Sequence, residues 1–139
     1  MKIEVLMVAN AASVSGSLLH VQGGGWEHCS YPLLPATVSG ALAGIATLDD
    51  DEIGKTPALK IAITDADGHD MGFAASMIVS GIRPPTVAGV PLRVPFAVPF
   101  MFVAVRSTVI KVAVMHEGAE LAAVTFLVRD PVPDAPPPG

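Results

Sequence analysis

The sequence predicts an antiparallel β-sandwich of about eight short strands, of the immunoglobulin-like, Greek-key type. Three observations lead there. Short runs rich in Val, Ile and Phe alternate with turn residues at the spacing of sandwich proteins, and no segment shows convincing helical amphipathicity. The C-terminal part reads as three successive strands, Val94–Val105, Val109–Met115 and Glu120–Val128, with a glycine-bearing turn at His116-Glu117-Gly118 joining the last two into a hairpin. A chain of 139 residues is most economically one domain whose core needs no disulfide staples. A small barrel is the second solution. The domain is expected over 1–129, with 130–139 as a flexible Pro-rich tail of polyproline type.

Lys2–Val8 reads as the first strand, with Ile3, Val5 and Met7 on one face and Glu4 and Leu6 on the other. Asn10–Gly16 reads as a polar connection and Ser17–Gln22 as the second strand. Gly23-Gly24-Gly25 permits backbone angles that other residues reject, and Trp26 offers a large apolar anchor for a tight crossover. The glycines are not followed by Gly-Lys-Ser/Thr and a helix, so they do not make a phosphate loop. In Thr37–Leu48, Leu42, Gly44, Ala46 and Leu48 share a face at period two. Gly40, Gly44 and the β-branched ends weigh against a helix there. Asp49–Glu52 is an acidic loop, and Pro57–Thr64 is a strand with Leu59, Ile61 and Ile63 in register. Asp65–Asp70 is a turn, and Met71–Val79 pairs back as a hairpin. The long proline-bearing connection over 81–91 is of the kind that crosses between sheets.

The combination of Ala9-Asn-Ala-Ala12, Gly16–Trp26 with its Gly-Gly-Gly-Trp, Asp65-Ala-Asp-Gly68, Arg83-Pro-Pro85, Arg93-Val-Pro-Phe96 and a terminal hairpin resembles an uncharacterised family of small bacterial proteins. The resemblance spans residues 1 to about 128. Members of that family tend to carry Asp where this chain has Asn10. It implies a compact all-β domain of bacterial or phage origin and carries no activity with it.

Composition narrows the function. A net charge of −5 and a pI near 5.1 argue against binding nucleic acid through phosphates. The longest apolar run, 94–105, is interrupted by Pro95 and Pro99 and is shorter than the roughly 20 residues of a membrane helix. The N-terminal apolar stretch is too brief for a signal peptide. A cytoplasmic protein is therefore expected, alone or within a larger assembly or virion. The single cysteine, Cys29, cannot form an internal disulfide. Mean hydropathy is +0.57 and only 15 % of residues are charged, against about a quarter in ordinary chains. Either Ala and Val simply dilute the charge, or the chain exposes apolar area as a monomer and buries it in a homo-oligomer or larger assembly.

Candidate chemistry is sparse. Asp65, Asp67 and Asp70 with Gly68 could supply calcium ligands, but the EF-hand glutamate is missing, and Asp-Gly is a common two-residue hairpin turn with positive φ at both positions. Asp49–Glu52 could join such a site if the loops met at one end of the sandwich. His20, His28, His69 and His116 show no paired zinc spacing. His28 and Cys29 are neighbours that an extended backbone points to opposite faces. Trp26, Phe96, Phe100 and Phe102 are the interface candidates, each read as core first and interface second. Pro95 and Pro99 push at least part of their strand to a sheet edge or a bulge, and an apolar edge is a place where another subunit can dock. The expectation is a non-enzymatic structural or accessory protein with no cofactor and no metal, binding copies of itself or another protein. The alternative is a sandwich that binds calcium or a small ligand through its end loops.

Overall fold

The computed structural model describes residues 1–80 and 89–130. The connection expected at 81–91 and the tail expected at 130–139 lie outside the described residues, apart from 89–91 and 130. Among the described residues nine strands form: β1 (Lys2–Ser15), β2 (Leu18–Gly24), β3 (His28–Ser30), β4 (Ala36–Leu48), β5 (Ala58–Thr64), β6 (Asp70–Ile78), β7 (Leu92–Ala104), β8 (Thr108–His116) and β9 (Ala119–Arg129). They make two sheets, ordered β2-β1-β4-β7 and β3-β9-β8-β5-β6, packed as a sandwich and not closed into a barrel. All pairs are antiparallel except β3 with β9. The chain changes sheet between β4 and β5, between β6 and β7 and again between β7 and β8, which are Greek-key crossings. It opens in one layer as β1 and re-enters in the other as β3. Strand β2 is an addition, a hairpin folded back on β1 before the crossing.

The core lies between the sheets. Val38, Leu42, Ala46 and Leu48 of β4 and Phe96, Phe100 and Phe102 of β7 face Leu59, Ile61 and Ile63 of β5, Ile110, Val112 and Val114 of β8, and Phe126 and Val128 of β9. The period-two faces expected for β4 and β5 are the observed ones. No polar or charged side chain is buried among the described residues.

Register explains the two glycines of β4. Gly40 pairs with Phe100 and Gly44 with Phe96, and a Cβ built on Gly44 would lie 2.4 Å from the Phe96 ring. The phenylalanine rings lie across positions that have no side chain, which is how an aromatic residue compensates a strand glycine.

Strand β1 departs from expectation in two ways. It continues through Asn10–Ser15, read from the sequence as a polar connection, because those residues pair with β2. Its faces also change over: a register shift between Ile3 and Val5 turns Leu6 and Val8 to the core, where Ile3, Val5 and Met7 were expected to share one face. A bulge inserts one residue, and everything after it faces the other way. Strand β7 is an edge, as its prolines predict. Because Pro95 and Pro99 have no N–H, β7 bonds to β4 through its even-numbered residues, and the odd ones face outward.

Candidate functional site at the hairpin end of the sandwich

Pairing of β1 with β4 ends at Ala9–Ala41, whereas pairing with β2 continues from Ala9 to Ser15. Residues 10–22 therefore leave the sandwich as a two-stranded arm. Its tip, Gly16-Ser17, has φ of 60° and 61°, the two-residue turn whose twist matches the strands. Trp26 fills the fork at its base. The indole ring meets Phe126 edge-on at 5.4 Å and Phe100 at 6.1 Å between centroids. Its Nε1–H donates to Asn10 Oδ1 at 2.9 Å and to the Gly23 carbonyl at 3.1 Å. Gly23 has φ +60° and its missing Cβ would lie 2.5 Å from the Asn10 side chain, so only glycine fits. The Gly-Gly-Gly-Trp stretch is thus a pivot that ties the arm to the core.

This end also collects exposed apolar surface. Nine large apolar side chains are exposed among the described residues. Seven of them, Val14, Leu18, Leu33, Met101, Val103, Val105 and Val109, sit on the arm, before β4, at the end of β7 or at the start of β8, all at the same end of the sandwich. Ile78 and Val90 lie at the other end. Phe96, Phe100 and Phe102 are on the inner face, 3–4 % exposed, so any interface has to be made by other side chains. Nothing in the sequence marks Leu18, Met101 and Val103 as contact residues. They look like ordinary strand residues until topology places them together.

The expected calcium loop has a different construction. Only Gly68 takes positive φ, and five residues separate the paired Thr64 and Asp70, so this is not the two-residue turn. Asp65 Oδ1 accepts from the N–H of Asp67 and of His69, each at 2.9 Å, and His69 Nδ1 lies 3.2 Å from Asp65 Oδ2. Asp70 turns away to accept from the Gly72 N–H at 2.7 Å. Asp65, Asp67 and His69 bring ligand atoms together in this loop, as Asp49, Asp51 and Glu52 do in the other, and the Arg106 guanidinium sits on Asp67 and within 3.6 Å of Asp65. Adding millimolar calcium should leave the melting temperature unmoved; a rise would favour the calcium reading. Asp49–Glu52 and Asp65–Asp70 also do not meet. They flank β5 at its two ends, seven residues apart, or roughly 20 Å of strand.

Hydrogen bonds from the His69 N–H, then the His69 ring and the Asp67 N–H, hold the Asp65 carboxyl below its ordinary range. A carboxyl lowered in the fold stabilises it fully above the unfolded value of about 3.9 and loses that contribution as pH falls through the lower folded value. Asp65→Asn should flatten the stability profile between about pH 5 and pH 2, read by thermal melts. An unchanged slope would remove Asp65 from the account.

At the opposite end, a cleft of about 700 Å³ is lined by Glu52, Lys55, Pro57, Lys60, His116 and Glu117, among others. Both Glu52 oxygens accept from the Met1 ammonium at 2.6 Å, which lowers the Glu52 pKa. His116 Nδ1 lies 3.1 Å from the Ala58 carbonyl. Of the two carboxylates in the lining, Glu52 is held by the Met1 ammonium, and Glu117 Oε1 lies 3.9 Å from His116 Nε2. Cys29 packs toward the core while His28 is exposed, and burial raises the Cys29 thiol, which makes it a poor nucleophile. His20 lies on the arm, so the four histidines stay apart. No helix among the described residues is long and apolar enough to cross a membrane. Comparison with protein-family models, with curated proteins and with solved structures finds no match.

Proposed function

We propose that this chain is a non-enzymatic structural or accessory subunit that works by protein contact, and that it associates with copies of itself. The observation that supports this is the gathering of exposed apolar side chains at the hairpin end, beside an arm without a charged residue. From Val5 to Trp26 there is no Asp, Glu, Lys or Arg. Exposed apolar side chains of this number at one end of a small domain suit contact with another protein.

Sedimentation velocity over a hundredfold range of concentration tests it. The expected result is a species larger than the monomer that grows with concentration. Leu18→Asp combined with Met101→Lys should shift it to monomer without lowering the melting temperature, because both side chains are more than 60 % exposed. A monomer at every concentration would end the reading.

A further inference from the structure

The four sheet edges are not alike. Strand β3 has only three residues. Strand β6 starts at a register irregularity and contains Gly72 at φ +79°. Along β7, Pro95 and Pro99 remove two of the donors that would face an incoming strand. These are the devices by which proteins close their edges. Strand β2 has none of them: no proline, no lysine, no carboxylate and no bulge over Leu18–Gln22.

Its free hydrogen-bonding groups follow from the turn. A two-residue turn with both φ near +60° makes Ser15 and Leu18 a hydrogen-bonded pair, so His20 and Gln22 also bond to β1. The N–H and C=O of Leu19 and Val21 are left pointing off the edge. The Gly23 carbonyl is already taken by the Trp26 indole.

We infer that this edge binds the β2 edge of a second copy, antiparallel about a two-fold axis through His20, so that two four-stranded sheets become one of eight. This deepens the self-association proposed above and rests on it. In that register Leu19 faces Val21 of the second copy and Val21 faces its Leu19, and all four outward groups of each copy are bonded. The register is self-complementary, as an isologous contact must be. It places no fixed like charges opposite one another, which cross-strand pairing penalises. An isologous contact uses up the β2 edge of each copy, so pairing through β2 stops at two copies.

The axis sets His20 directly opposite His20 of the second copy, as a non-hydrogen-bonded pair about 4.5 Å apart at Cα, within reach of a disulfide. Oxidised His20→Cys should therefore run as a covalent dimer, with the unsubstituted chain, whose Cys29 packs inward, as the uncross-linked control. Val21→Pro removes an N–H that is not bonded to β1, so the fold should survive while association weakens at least about tenfold in sedimentation. If the wild-type chain associates but Val21→Pro leaves it unchanged, or His20→Cys does not cross-link, the β2 contact is wrong and self-association stands. A wild-type chain that is monomeric throughout overturns both.

Discussion

Gly44→Ala should cost the fold roughly 3 kcal/mol, the upper part of the range for overpacking a core. For a chain of this length that lowers the melting temperature by about 10 °C. The added methyl would lie 2.4 Å from the Phe96 ring and 2.7 Å from the Val5 carbonyl oxygen. Neither can retreat easily. Phe96 is buried in the core, and the Val5 carbonyl belongs to the neighbouring strand of the same sheet. Phe96→Leu in the same chain should recover part of the loss, because it shortens the group that collides. Urea unfolding of the single and double variants measures this. If Gly44→Ala melts within a degree or two of wild type, the cross-strand packing of glycine under phenylalanine is misread.

Trp26→Ala should be comparably costly, about 3 kcal/mol, at the low end for removing a large aromatic because the ring is only partly buried. Two effects add. The ring leaves Phe100 and Phe126 without their edge-on partner, and Asn10 Oδ1 and the Gly23 carbonyl lose their shared donor. Trp26→Phe separates the two, since it keeps most of the packing and should lose only about 1 kcal/mol. Protease sensitivity supplies a second readout. With the fork emptied, cleavage should begin within residues 10–22 before the sandwich itself is cut. Global melting without earlier cleavage in the arm would mean that Trp26 serves the core alone.

Much of the fold was legible because period-two alternation survives wherever one face is buried. Leu59, Ile61 and Ile63, and Leu42, Ala46 and Leu48, were readable for that reason, and so was the edge position of β7 from Pro95 and Pro99. The β1 faces were not, because a bulge leaves no mark in composition. The arm was missed since Asn10–Ser15 is small and polar on both faces, and a strand paired only to its own hairpin partner carries no core pattern. One further signal was present and unread. Gly40 and Gly44 are spaced four apart, as are Phe96 and Phe100, and antiparallel pairing matches them one to one. The apolar end of the molecule could not be seen at all from the sequence, because its members come from five separate segments.

The two acidic loops at the ends of β5 put carboxylates at both poles, but at the arm end Arg106 sits on Asp67 and within 3.6 Å of Asp65. The carboxylates of Asp49, Asp50 and Asp51 lie at the pole farthest from the arm. Two copies joined tip to tip would therefore carry those charges at the outermost ends of a long particle. Such a rod repels its neighbours end to end, a colloidal safeguard that leaves its greasy middle occupied and its extremities well hydrated.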